Sequence, residues 1–142
     1  MKKIVLLLFT ILVFTNCSDN PESFIKHIEG YWEIKHVEKD NILLKEYTVN
    51  ANIDYFKIDQ NTLTGYRKKV TPTFEGKYIV NKHKIPFVLK IEDNYLNINY
   101  TSKSDTYRER VVTATKDKLV IENTEGIIYV YRPFTPIDIS HE

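Results

Sequence analysis

Apolar and polar side chains alternate with a period of two along most of the chain between Tyr31 and Arg132. In residues 96–100, Leu96, Ile98 and Tyr100 would share one face of a strand, and two asparagines would occupy the other. No long helical pattern interrupts these segments. They therefore predict successive β-strands at 31–38, 45–49, 53–59, 63–70, 76–80, 87–92, 95–101, 106–115, 118–122 and 127–132.

Turn-forming residues separate the predicted strands. Asp93-Asn94 predicts a two-residue hairpin, and residues 123–126 predict a slightly longer turn. Ahead of the first strand, residues 23–29 have the spacing of a short helical turn, with Ser23 as its cap and Gly30 after its end. We expect one all-β domain, a small up-and-down antiparallel barrel of about eight to ten strands with a short N-terminal helical turn.

The first 16 residues have the pattern of a bacterial signal peptide. Two lysines follow Met1, and residues 4–14 are an apolar run shorter than the roughly 20 residues that span a bilayer. Cys17, the only cysteine, comes soon after this run. The arrangement resembles a lipobox, which implies cleavage before Cys17 and a lipid anchor, with acyl chains such as palmitate, on its thiol. An ordinary secretory signal with a chance cysteine is the alternative.

This interpretation divides the chain into four parts. Residues 1–16 are the signal peptide, 17–23 a lipidated tether, 24–134 the barrel and 135–142 a C-terminal tail. Residues 18–22 also resemble the acidic export tag of Bacteroidota surface lipoproteins, although any polar tether would look similar. We expect an exported protein held by lipid in the outer membrane, and the tag favours display at the cell surface.

Charge and motif content argue against several functional classes. Removal of residues 1–16 takes away two lysines and leaves 18 basic and 19 acidic side chains, so the basic excess of a nucleic-acid-binding protein is missing. The spacing of the four histidines does not suit a metal site, and nucleotide-binding glycine motifs and serine-hydrolase motifs are absent. We expect a monomer without enzymatic activity, cofactor, metal or nucleic-acid partner.

Charged residues within the strands are interpreted as solvent-facing. Asp54 and Glu109 fit strand exteriors, although an acid/base pair formed across strands is an alternative. Arg67, Lys68 and Lys69 follow Tyr66 and would lie on an outward face, where they discourage edge pairing.

An N-terminal helical turn, Gly30-Tyr31-Trp32 at the first strand and Arg132 at the end of the last strand together resemble the lipocalin pattern. The mature chain is similar to the short lipocalin-like domains of Bacteroidota-type lipoproteins. The resemblance implies that Trp32 plugs the closed base of the barrel and that Arg132 stacks across it. Strand parity leaves an alternative in which Tyr129 and Tyr131 are buried and Arg132 is in solvent.

The function depends on what fills the barrel. One hypothesis is a lumen lined by aromatic rings that holds a small apolar or amphipathic ligand, and the other is a filled core. The candidate ligand-lining residues are Ile34, His36, Phe56, Tyr66, Tyr78, Phe87, Leu96 and Tyr100. We expect a lipid-anchored module that binds or carries such a ligand at the bacterial envelope. The alternative is a filled, non-enzymatic barrel that acts through contacts with other proteins.

Overall fold

The predicted all-β barrel is confirmed by the computed structural model, which describes residues 19–80, 82–103 and 106–135. Within them, one short helix precedes ten antiparallel strands. The signal-peptide region, Cys17 and most of the predicted tail lie outside the described residues. The elements are α1 (Pro21–Ile28), β1 (Gly30–Lys39), β2 (Ile42–Glu46), β3 (Ile53–Asp59), β4 (Thr64–Pro72), β5 (Tyr78–Val80), β6 (Ile85–Glu92), β7 (Tyr95–Thr101), β8 (Thr106–Thr115), β9 (Lys118–Asn123) and β10 (Ile128–Pro133).

Eight of these strands form a closed ring in the order β1-β3-β4-β6-β7-β8-β9-β10, and β10 pairs with β1 to close it. Closure pairs both edges of the sheet along the ring, which removes the exposed edges of an open sheet. The short strands β2 and β5 lie outside the ring. They extend it at one end through pairing with β1 and β4, respectively.

Two hairpins turn on an Asp-Asn pair with left-handed backbone at both residues. The predicted turn at Asp93-Asn94 has φ values of 52° and 64°, and Asp40-Asn41 has φ values of 51° and 61°. This second turn was not predicted, because residues 42–44 are all apolar and lack alternation. The strand expected at 45–49 is therefore β2, which begins earlier, at Ile42.

The helix α1 begins at Pro21, three residues before the predicted start of the barrel domain at residue 24. Its N-cap is Asn20, whose Oδ1 accepts a hydrogen bond from the Glu22 amide at 3.0 Å. Ser23, the predicted cap, lies inside the helix and donates to the Asn20 carbonyl. Gly30 has φ +136°, a conformation that side-chain-bearing residues rarely adopt, and this explains a glycine between α1 and Trp32. Among the described residues, no helix is long and apolar enough to cross a membrane.

The base of the barrel is closed by α1 and Trp32. The helix packs against β7 and β8 and buries Phe24 and Ile28. The Trp32 indole is also buried, and its Nε1–H donates to the Ile28 carbonyl at 2.8 Å. Together with inward side chains of the strands, these residues form one apolar core: Phe24, Ile28, Trp32, Phe56, Ile58, Phe87, Leu89, Leu96, Ile98, Tyr100, Val111, Ala114, Leu119, Ile121 and Tyr131.

Candidate functional site

Arg67 of β4 points into the barrel, and its guanidinium has four polar partners. Nη2 donates to Asp54 Oδ2 at 2.8 Å and to the Tyr131 hydroxyl at 2.9 Å. Nη1 lies 3.1 Å from Glu109 Oε2 and 3.2 Å from the Tyr100 hydroxyl. The Tyr100 hydroxyl donates in turn to Glu109 Oε2 at 2.8 Å. Four separate strands therefore meet at one arginine. We call these five residues the internal network.

The internal network lies almost entirely below the protein surface. The side chains of Asp54, Glu109 and Arg67 are 1%, 11% and 13% exposed. Lys69 extends the network outward, because its Nζ lies 2.7 Å from Asp54 Oδ1 while its side chain is 51% exposed. Asp54 Oδ1 accepts no hydrogen bond of good geometry, so this ion pair provides its charge compensation. Two cations thus balance two carboxylates that would be costly to bury unpaired.

Strand register explains why these side chains meet. Phe56 pairs with Arg67 and Asp54 with Lys69 across β3 and β4, and paired residues point to the same side of a sheet. The Arg67 guanidinium carbon lies 5.2 Å from the centre of the Phe56 ring. A β-carbon at Gly65 would lie 2.7 Å from the Phe87 ring and 2.2 Å from the Lys57 carbonyl oxygen. The close packing beside Arg67 therefore requires glycine at this position.

Burial and charge shift the pKa values within the internal network. Burial by itself would raise the pKa of Asp54, but Arg67 and Lys69 outweigh it and hold that pKa below its ordinary value. Burial raises the pKa of the Tyr100 and Tyr131 hydroxyls, despite the opposing charge of Arg67. At neutral pH the network therefore contains an ionised Asp54 beside neutral tyrosines that can donate hydrogen bonds.

A pocket of about 250 Å³ opens above the internal network, at the end of the barrel opposite α1. Its charged and polar wall is formed by Asp54, Arg67, Lys68, Lys69 and His83, and its less polar wall by Ile85 and Tyr107. We call it the mouth pocket. Larger hollows of about 460 and 500 Å³ lie over β7–β9 and beside β3, β4 and β6, and one of about 610 Å³ lies where α1 meets β7 and β8. The mouth pocket differs from them because it reaches the buried charges.

A continuous aromatic stack connects the core to the mouth pocket. The rings of Phe87 and Tyr100 meet edge to face, with centroids 5.7 Å apart. Tyr100 then stacks on Tyr107, with centroids 4.5 Å apart and an interplanar angle of 16°. Tyr107 is the partly exposed end of this stack. The pocket therefore offers an aromatic face beside its cations.

Four of the predicted ligand-lining residues lie inside the barrel. Phe56, Phe87, Leu96 and Tyr100 are fully buried and pack against one another or against neighbouring core residues. Ile34 is partly buried and packs against the same core. These positions fill the barrel, and the hypothesis of a filled core describes this half of the molecule better than that of an open lumen.

Three other predicted lining residues point outward, so their assignment was wrong. The register shifts between Ile34 and His36, and this β-bulge turns His36 outward, where its Nε2 lies 3.6 Å from Glu38 Oε2. Tyr66 directly precedes the inward-facing Arg67 in β4, so its side chain points outward. Tyr78 stacks on Tyr31 on the outer wall, with centroids 4.5 Å apart.

The predicted stacking of Arg132 on Trp32 is also wrong. Trp32 pairs with Pro133, whereas Arg132 pairs with Glu33 and shares its outward orientation. The Arg132 guanidinium donates from Nε to Glu33 Oε1 at 2.8 Å and from Nη2 to the Thr48 carbonyl at 3.2 Å. The alternative parity holds instead, because Tyr131 is buried and Tyr129 packs against the core.

The internal network was missed by sequence reasoning, which placed Asp54, Arg67 and Glu109 on solvent-facing sides of strands. One signal was available for Asp54. Phe56 was predicted to face inward, and two residues of separation in a strand mean the same face. The usual association of charge with solvent outweighed this parity.

The described residues contain no group of three or more histidine, cysteine, aspartate or glutamate side chains arranged to hold a metal ion. The chemistry that the site offers is recognition by charge, hydrogen bonds and ring stacking. An arginine fixed by two carboxylates and two hydroxyls is preorganised, and such rigidity favours binding because little ordering is needed when a ligand arrives.

The closed ring of eight antiparallel strands, with a helix across its base, places the chain in the class of small antiparallel β-barrels. The model of the lipocalin-like domain family matches residues 28–121, and the chain belongs to that family. Lipocalin-like domains are generally binding proteins rather than enzymes.

Two solved structures are similar to this chain. One is a lipocalin-like protein from Bacteroides uniformis, with 13% identity, a TM-score of 0.46, and coverage of 76% of this chain and 99% of that one. The other is an uncharacterized protein from Bacteroides eggerthii, with 16% identity, a TM-score of 0.44, and coverage of 75% and 98%. A search of curated proteins found no match.

Proposed function

We propose that this chain is an exported, lipid-anchored protein that binds or carries a small amphipathic ligand at the bacterial envelope. The lipid anchor is supported by the sequence around Cys17, the single cysteine. Ligand binding is supported by membership of the lipocalin-like family. The ligand is held at the mouth of the barrel rather than deep inside it.

The mouth pocket is the observation that carries this proposal. Its volume of about 250 Å³ is near the lower limit of small-molecule sites. It combines an aromatic face at Tyr107 with a few fixed polar groups, and this combination is typical of ligand pockets. The mouth pocket is distinguished from the larger hollows by its direct access to the buried charges of the internal network.

Native mass spectrometry of the protein purified from its own host tests ligand binding. We expect the wild type to carry a small additional mass that is lost in Tyr107→Ser. Tyr95→Ser is the matched control, because Tyr95 is a similarly exposed tyrosine on the outer wall. Equal retention by both variants would place the ligand elsewhere. A wild type without any bound mass, even after addition of small-molecule extract from the host, would reject the proposal.

Metabolic labelling with an alkyne fatty acid tests the anchor. We expect label on the wild type and none on Cys17→Ser, because the thiol is the site of diacylglycerol attachment in a lipoprotein. Equal labelling of the two proteins would show that the anchor assignment is wrong, while leaving the mouth pocket unaffected.

A second candidate function is a filled barrel that acts through contacts with other proteins. It is favoured by β2, where Ile42, Leu43 and Leu44 are all more than half exposed in sequence succession. Exposed apolar patches of this kind often mark protein-binding surfaces. Substitution of Leu43 and Leu44 by serine distinguishes the two functions, because it leaves the mouth pocket intact and removes the apolar surface.

A further inference from the structure

We propose that the ligand of the mouth pocket is an anion, a carboxylate or phosphate attached to one small aromatic or apolar group. This inference rests on the proposed function and adds the charge and size of the ligand. The pocket wall carries two inward cationic side chains, Arg67 and Lys69, against one carboxylate, Asp54, because the Lys68 ammonium lies over the Tyr55 and Tyr66 rings on the outer wall.

The acidic groups of the site are not available to an incoming ligand. Asp54 is 1% exposed and is bound by both Arg67 and Lys69. Glu109 lies behind the pocket wall and is bound by Arg67 and the Tyr100 hydroxyl. A cationic ligand would therefore meet neither carboxylate without breaking the internal network.

One cation of the pocket wall, Lys69, reaches the surface, whereas Arg67 stays mostly buried among its four partners. Lys69 is half exposed, and its ammonium can contact a second anion because three donors are present and Asp54 remains held by Arg67. The connection between β5 and β6 adds two exposed lysines, Lys82 and Lys84. The Lys84 ammonium lies 4.5 Å from the Tyr66 ring centre, which fixes it on the outer wall near the pocket.

Size and shape favour a single ring over a long acyl chain. A pocket of about 250 Å³ is small for a ligand site, and the filled core leaves no continuous channel for a chain between the described core residues. The stack of Phe87, Tyr100 and Tyr107 ends at the pocket, so an aromatic ligand would extend it. Ile85 supplies apolar contact on the same wall.

Amide NMR titration of the full-length protein in an uncharged detergent tests this inference with four matched probes. Phenylacetate and phenyl phosphate carry the two anionic groups, phenylacetamide is neutral and 2-phenylethylamine is cationic. We expect both or one of the anions to bind at least about tenfold more tightly than the amide, and the amine to bind most weakly. The stronger of the two anions identifies carboxylate or phosphate as the preferred group.

Two variants and one solution condition locate the effect. Lys69→Gln should weaken anion binding by about tenfold and leave phenylacetamide binding unchanged. Lys90→Gln, an exposed lysine on the outer face of β6, is the control and should change neither. Raising the ionic strength of the wild-type sample should weaken the anions selectively, and this readout requires no variant to fold.

The outcomes separate this inference from the proposed function. Equal affinity for phenylacetamide and the anions, with shifts centred on the mouth pocket, would reject anion selectivity and leave ligand binding at the mouth in place. Anion binding that is unchanged in Lys69→Gln would also reject it. Absence of shifts near Lys69 and Tyr107 with all four probes would reject the mouth pocket as a site, and both proposals with it.

Discussion

The two ends of this barrel are built from different chemistry. At the base, Trp32, Phe24 and Ile28 exclude water, and the one polar atom of the indole is satisfied by a carbonyl of α1. At the mouth, Arg67 is held among two carboxylates and two tyrosine hydroxyls. The base gains stability from apolar burial, which is favourable for every buried methylene.

The buried ion pairs at the mouth are expected to contribute less to the free energy of unfolding than apolar packing of the same volume would. Replacement of buried ion pairs by apolar side chains of similar volume is often neutral or stabilising in proteins. A buried network beside a pocket therefore supports the proposed role of the mouth in binding. The comparison assigns stability to the base and recognition to the mouth, and substitutions at each end test this division.

Trp32→Ala should have the largest effect on stability. Removal of the indole leaves a cavity at the base, and we expect a loss of about 3–5 kcal/mol in the free energy of unfolding. Trp32→Phe retains most of the volume and should cost less, mainly the hydrogen bond to the Ile28 carbonyl, about 1 kcal/mol. Chemical denaturation measures both, and an effect of Trp32→Ala below that of Trp32→Phe would show that the base is not packed around the indole.

Arg67→Met should follow, with a loss of about 3 kcal/mol, because it leaves Asp54 and Glu109 buried without their shared cation. Arg108→Met is the control, since Arg108 is exposed and lies 3.9 Å from an exposed Glu92; we expect less than about 1 kcal/mol there. Addition of Asp54→Asn and Glu109→Gln to Arg67→Met should recover part of the loss. Equal effects of the two arginine variants would mean that Asp54 and Glu109 do not depend on Arg67 for charge compensation.

The features that the sequence predicts are those that depend on neighbouring residues, whereas features that depend on contacts between distant strands are missed. The closed all-β barrel and the Asp93-Asn94 turn follow from local patterns, because alternation and left-handed turn residues are properties of neighbouring positions. The internal network depends on the register between strands that are distant in sequence, such as β4 and β8. The outward orientation of His36 depends on a β-bulge, which shifts parity by one residue and leaves no clear mark in the sequence.

The stability of the mouth should also depend on acidic pH. The folded-state pKa of Asp54 lies below its ordinary value of 3.8, because Arg67 and Lys69 outweigh burial. Its contribution is therefore fully present above about pH 4 and is lost as the pH falls through the lowered folded-state value. Denaturation between pH 5 and pH 2 should show a steeper loss of stability for the wild type than for Asp54→Asn. Parallel curves would contradict the ionised state of Asp54 in the network.

Arg132→Ala should have the smallest effect, below about 1 kcal/mol, because its partner Glu33 lies on the outer wall of the barrel. A double-mutant cycle with Trp32→Ala should be additive, since the two side chains point to opposite sides of the sheet. A coupling energy above about 0.5 kcal/mol would show that Trp32 and Arg132 interact, as the stacked arrangement across the base requires.

Amide NMR of the full-length protein, titrated with small-molecule extract from its own host, tests the division between base and mouth most directly. The amides of Phe24 and Ile28 in α1 report on the base, because the helix packs there against β7 and β8. We expect the largest shifts at Lys69 and Tyr107, with the Phe24 and Ile28 amides unmoved. Shifts centred on Phe24 and Leu96, with the mouth unchanged, would place recognition at the base and contradict the assignment of function to the mouth.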